Sequence, residues 1–166
     1  MIARDGFRFL LGSSMKPTFS TGDKLKVVPV SAPDVHIGDV VIFTAGRQIC
    51  HRLIGKYTVR GRTFLIEKGD CQDARVGLVN ADSLKEKVVE VSTGDGRLLR
   101  EKDFRISRTA VLLYAALNPV VFCLHGVKLF LFGKKSNSMV RLTWKCFSSF
   151  YWYSFRFFHS SVHVQS

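Results

Sequence analysis

From Phe104 to its end this 166-residue chain has no Asp and no Glu; all 13 acidic residues stand at or before Asp103. Up to Asp103, 17 Lys and Arg against 13 acids leave a balance of +4, and the 8 Lys and Arg that follow bring the total to +12. The basicity is therefore largely a property of the C-terminal part. An acid-free segment rich in aromatics and in Lys and Arg suits a membrane surface or a membrane-inserted segment. Basic tails also serve nucleic acids. The long apolar run within this one is a poor design for a groove that tracks phosphates, so no nucleic-acid partner is expected.

Cysteine is scarce as well. Cys50, Cys71, Cys123 and Cys146 show no C-x-x-C spacing and no paired metal pattern. Small buried thiols are the plainer reading, although Cys50 and Cys71 would approach one another if their strands paired. No cofactor and no metal is implied. The N-terminus, MIARDGFRFLLGSS, contains no apolar run long enough for a secretory signal or a membrane-spanning helix.

What is present up to Asp103 is a succession of short β-branched runs separated by Gly turns. Strands are expected at LKVVPV (25–30), DVVIFTA (39–45), QICHRLIG (48–55) and KVVEVST (87–93), with a hairpin over 57–69 turning at Arg60-Gly61-Arg62. NADSLKEK (80–87) suits one helical turn with Asp82 as its N-cap. Many short strands of this kind point to a mainly β fold, a folded sheet or barrel of residues 1–103.

The composition changes near Arg105. Thr109 to Val127, TAVLLYAALNPVVFCLHGV, is 19 residues without a formal charge, close to the length a bilayer requires. Pro119 would kink such a helix. Arg105, Arg108, Lys128, Lys134 and Lys135 flank the run as interfacial anchors. Residues 104–135 are thus expected to form a helical apolar segment that associates with membrane lipid or spans the bilayer, with packing on the protein itself as the alternative. Residues 136–166, crowded with aromatics and serines, form either an interfacial or a poorly ordered tail.

Three segments carry groups suited to chemistry. LGSSMKPTFSTGDKL (11–25) holds Ser14 beside a stiff Met-Lys-Pro phrase. A serine hydroxyl needs a neighbouring base to act as a nucleophile, and His51 in CHRLIG is a suitable one. EKGDCQD (67–73) supplies carboxylates, one of which could orient the imidazole as the third member of a triad. Singly, each has a plainer role: a loop serine, a structural histidine, a Gly-Asp turn. Alternation along QICHRLIG puts Ile49, His51 and Leu53 on one face and Cys50, Arg52 and Ile54 on the other.

Taken in order, Ser14-Met15-x-Pro17-Thr18, Gly22-Asp23, Gly38-Asp39-Val40-Val41, His51-Arg52-Leu53-Ile54-Gly55 and Lys68-Gly69-Asp70 resemble the type I signal peptidases. The resemblance covers roughly residues 9–92. It is closest to the branch that uses Ser and His rather than Ser and Lys; LexA-type autoproteases share the fold of the clan but use a Ser-Lys pair. It implies Ser14 as nucleophile, His51 as general base, and Asp70 or, second, Asp73 as the orienting acid. It also implies a β-rich catalytic core that takes an extended peptide substrate, a signal or leader peptide, and cuts after small side chains. Two positions depart from the family pattern: Gly12 stands where a serine commonly helps the oxyanion hole, and the acidic box is shortened. A dedicated maturation peptidase for one precursor, or a non-catalytic copy that binds lipid or a partner, are the alternative readings. The expected location is the membrane, with the cytoplasm as the alternative.

Overall fold

The structure, a computed structural model, describes residues 2–4, 7–71 and 76–106, together with Thr109, Leu112 and Ala116 as isolated helical positions. Among the described residues nine strands make one antiparallel sheet: β1 (Ile2–Arg4), β2 (Phe7–Phe9), β3 (Lys24–Pro29), β4 (Val40–Ala45), β5 (Arg47–Val59), β6 (Arg62–Lys68), β7 (Val76–Asn80), β8 (Leu84–Ser92) and β9 (Leu98–Arg100). The spatial order is β1-β2-β3-β8-β4-β5-β6-β7, with β9 pairing β8 off this path. The sheet curls into a half-barrel. The expected mainly β fold is present.

Curling gives the sheet two buried faces, and the strands are apolar accordingly. Val40, Val41, Ile42 and Phe43 are all at most 1% exposed, so β4 is covered on both sides. Val40, Ile42, Cys50, Leu25, Val88 and Val91 face one core, capped by Met15 and Phe19 of the loop that follows β2. Val41, Phe43, Leu53, Leu65 and Leu84 face the other, with Val35 packed among them. Full burial of one such side chain contributes about 1.5–3 kcal/mol, so the two clusters are the main source of stability. The alternation expected along β5 holds: Cys50 lies in the first cluster and Leu53, with Ile49 packed beside it, in the second.

Several elements differ from the sequence expectation. The runs 48–55 and 57–59 are one continuous 13-residue strand, β5, because Lys56 stays in the ladder opposite Leu65. The hairpin turns at Arg60 and Gly61, both at positive φ (49° and 75°), the conformation a two-residue turn between twisted strands requires. At 80–87 a single 3-10 turn (Ala81–Ser83) passes directly into β8, and its cap is Asn80, whose side chain accepts from the Asp82 amide, not Asp82 itself. The core also runs past Asp103. The helical turn α1 (Glu101–Phe104) buries Phe104, whose ring meets Phe19 edge-on at 5.2 Å, and Ile106 is 5% exposed. A boundary after Asp103 would cut through this packing.

Among the described residues no helix is long and apolar enough to cross a membrane. The apolar run 109–127, apart from three isolated positions, and the tail 136–166 lie outside the described residues.

Candidate active site

Ser14 sits in a loop pinned at several points. Gly12 has φ +115° and Gly22 φ +95°, values that a side chain would strain. Gly22 donates to the Leu10 carbonyl, Leu10 to that of Asp23, and the Ser20 amide to Asp23 Oδ2, so the loop closes on itself at its base. Met15, fully buried, anchors the middle of the loop in the core, and the Phe19 amide donates to the Met15 carbonyl. The Lys16–Pro17 peptide bond is cis. Space for a Cβ is open at Gly12, but its dihedral is one that a serine rarely adopts.

The loop delivers Ser14 Oγ to within 3.0 Å of His51 Nε2. The other ring nitrogen, Nδ1, donates to Glu67 Oε2. A carboxylate on Nδ1 requires the proton there, which leaves Nε2 as the acceptor for the Ser14 hydroxyl. The three side chains therefore form one hydrogen-bonded line from hydroxyl to imidazole to carboxylate. His51 and Glu67 side chains are only 15% and 9% exposed, so the charge interactions among them are weakly screened. Phe43 meets the imidazole edge-on at 6.2 Å and closes it from the core side.

Register explains why Glu67 reaches His51. On β6, Leu65 and Glu67 share a face, and Glu67 stands directly opposite Leu53 of β5. Leu53 lies two residues from His51 on the same face, so Glu67 is the diagonal neighbour of the imidazole, a separation a long side chain spans. A bulge sets this register: Leu53 opposes Glu67, but Gly55 opposes Ile66, leaving Ile54 as the extra residue.

Asp70, the first sequence candidate for the orienting acid, is elsewhere. Its carboxylate takes both prongs of the Arg52 guanidinium, Nε at 2.9 Å and Nη2 at 2.7 Å, and also the Thr18 hydroxyl at 2.6 Å. Arg52 and Asp70 are 1% and 4% exposed. Arg52 Nη1 donates in addition to the carbonyls of Gly38 and Phe104. The physical reason is parity: Arg52 follows His51 and points to the opposite face of β5, and Asp70 lies on Arg52's side. Asp73, the second candidate, lies outside the described residues. Glu67 is one of several carboxylates in the 67–73 segment, and the signal that distinguishes it in the sequence is an acid sharing a strand face with Leu65.

The Ser14 loop and the acidic segment are also joined through the backbone, since the Cys71 amide donates to the Ser14 carbonyl at 2.9 Å. The lysines close in sequence to these segments are otherwise engaged. Lys68 Nζ donates to the carbonyls of Gly69 and Cys71, and Lys56 Nζ to those of Ala32, Pro33 and Val35. Lys87 bridges Asp39 and Glu101; burial works against its charge, but the hydrogen bonds to Glu101 and Asp39 outweigh this and hold it above the usual lysine range. Cys50 and Cys71 are free thiols. Burial, reinforced by the Asp70 charge, pushes the Cys50 thiol up to about 12. Among the described residues no group of His, Cys, Asp and Glu is arranged to hold a metal ion.

Such a line can activate a serine for attack on a carbonyl, with the carboxylate holding the tautomer and stabilising the imidazolium that forms. No protein-family model, no curated protein and no solved structure matches the chain.

Proposed function

We propose that this protein is a serine endopeptidase of the signal-peptidase type, cutting signal or leader peptides after small side chains. The observation that carries the reading is the alignment of Ser14 Oγ, His51 and Glu67 on one side of β5. In the acylation step Ser14 Oγ attacks the scissile carbonyl and its proton passes to His51 Nε2. The same proton then goes to the departing amine as the C–N bond breaks. In deacylation His51 takes a proton from water, the hydroxide adds to the acyl carbon, and Ser14 leaves with the proton restored. Glu67 holds the imidazolium in place throughout. The Ser14 amide is the first donor for the oxyanion.

The order of the motifs along the chain supports the signal-peptidase class, and the β-rich fold suits a substrate bound as an added strand. The apolar run 109–127 with its basic flanks supports work at a membrane surface. The test is a cleavage map of the full chain in detergent against a pool of precursor peptides, with Ser14→Ala and His51→Ala beside it. Cuts after small residues, with a second small residue two positions earlier, are expected and should disappear in both variants. Cuts at one narrow motif would instead favour a dedicated maturation peptidase. Equal cutting by His51→Ala and the parent would remove His51 from the mechanism.

A further inference from the structure

Gly77 is the second residue of β7 and stands directly opposite Glu67 in the ladder. A Cβ at Gly77 would lie 1.9 Å from Glu67 Oε1, 2.9 Å from Cδ and 3.5 Å from Cγ. The Glu67 carboxylate thus occupies the volume that any other residue at position 77 would fill. At Gly12, Gly22 and Gly61 the situation is the reverse: a Cβ would meet nothing within 4 Å, and a positive φ is the reason for glycine. Gly77 has no left-handed φ to explain it. A glycine inside a strand weakens it, and close approach by another group is a recognised reason to keep one.

Glu67 has little room to retreat. To bring Oε1 from 1.9 Å to an ordinary contact of 3.4 Å requires 1.5 Å of movement. The residue is 7% exposed, and its other oxygen is committed to His51 Nδ1. A retreat of that size carries Oε2 off the imidazole. We propose that Gly77 is a positioning residue: its missing side chain lets a glutamate on β6 lie over β7 and hold the tautomer of His51. The role rests on the reading of Ser14 and His51 as nucleophile and base, and it accounts for a glutamate as the acid, since the diagonal to His51 needs the longer side chain.

The experiment compares full-length parent, Gly77→Ala, Glu67→Ala and the double variant in detergent. One readout is turnover of a quenched-fluorescent peptide with Ala-x-Ala before the cut. The other is the 15N-edited signal of the His51 Nδ1–H, assigned by its loss in His51→Gln. Gly77→Ala and Glu67→Ala are each expected to lower turnover about 100-fold, the scale of a disturbed acid–base unit, and to remove the Nδ1–H signal. The double variant should be no slower than Glu67→Ala, because the methyl then enters vacated space. Parental turnover with an intact Nδ1–H signal in Gly77→Ala overturns the proposal. So does a further 100-fold loss when Gly77→Ala is added to Glu67→Ala, which would show that it acts by another route. If Gly77→Ala alone fails to fold, recovery of folding by Glu67→Ala supports the clash, and failure of both variants overturns it. If the parent shows no Ser14-dependent cleavage, the functional reading fails and the imidazole signal alone decides the role of Gly77.

Discussion

Asp70→Asn should act chiefly on stability and Glu67→Gln chiefly on chemistry. Asp70→Asn keeps the shape of the side chain but removes the charge facing the Arg52 guanidinium, which is 1% exposed and bound by Asp70 at two nitrogens. Removing one partner of a buried pair leaves an uncompensated charge and costs about 3–5 kcal/mol. The Thr18 hydroxyl, 2.6 Å from Oδ2, also loses a charged acceptor. Against a total stability of about 5–15 kcal/mol this is a large fraction. With a urea slope of about 2 kcal/mol per molar it moves the midpoint down by roughly 2 M. Glu67→Gln keeps an acceptor for His51 Nδ1–H but loses the charge that stabilises the imidazolium. The stability loss should be smaller, about 1–2 kcal/mol, and the loss of turnover about 100-fold or more. Urea unfolding followed by far-ultraviolet circular dichroism gives the first quantity, and peptide cleavage well below the midpoint gives the second. An unmoved midpoint with a 100-fold loss of turnover in Asp70→Asn, and near-parental turnover in Glu67→Gln, would refute the assignment and return the orienting role to Asp70.

Two further predictions concern the core. Phe104→Ala in the full chain should cost about 3–5 kcal/mol in urea unfolding, because a fully buried ring on Phe19 is removed; a loss under about 1 kcal/mol would show that the core ends before α1. Native Cys50, its thiol pushed up to about 12, should resist iodoacetamide at pH 9 while the partly exposed Cys71 is alkylated, as read by peptide mass mapping. Because the folded thiol titrates above its ordinary 9.0, its contribution to stability is complete below pH 9 and is lost as the pH rises toward 12. Cys50→Ala should flatten the fall of the urea midpoint over that window, and an unchanged slope would contradict the burial argument.

The sequence made β3, β4, β5, β6 and β8 visible because each carries an apolar run bounded by Gly or Asp turns, and a period of two placed His51 and Arg52 on opposite faces. It did not reveal β1, β2, β7 and β9, which are three to five residues long and owe their strand state to partners already in the sheet. The juxtaposition of Ser14 and His51 was legible because their residue types and order are distinctive. Glu67 was not, because its position beside His51 depends on pairing between β5 and β6, and the extra residue at Ile54 sets that register. No local pattern announces a bulge. Asp70 was the natural first choice because it follows Gly69 in a familiar phrase, but its destination was fixed by Arg52, a buried cation that requires a carboxylate partner.

The placement of Arg52 gives a physical reason for phrases spread over half a hundred residues to occur together. Thr18, Gly38 and Phe104 all bond the Arg52–Asp70 pair, so one buried clamp joins the serine loop, the turn before β4, the acidic segment and the turn after β9. The line of Ser14, His51 and Glu67 lies on the other face of the same strand. The clamp fixes the serine loop at Thr18, and the Cys71 amide fixes it again at the Ser14 carbonyl. A misplacement of about 1 Å at a reacting atom can cost about 100-fold in rate, so a scaffold of this kind affects chemistry through position alone. It follows that Arg52→Met with Asp70→Leu, which replaces the pair by apolar groups, should restore much of the stability lost in either single variant. It should restore turnover only as far as Ser14 regains its 3.0 Å contact with His51. Stability recovered without turnover would locate the clamp's contribution in the placement of the serine loop rather than in the folding of the core.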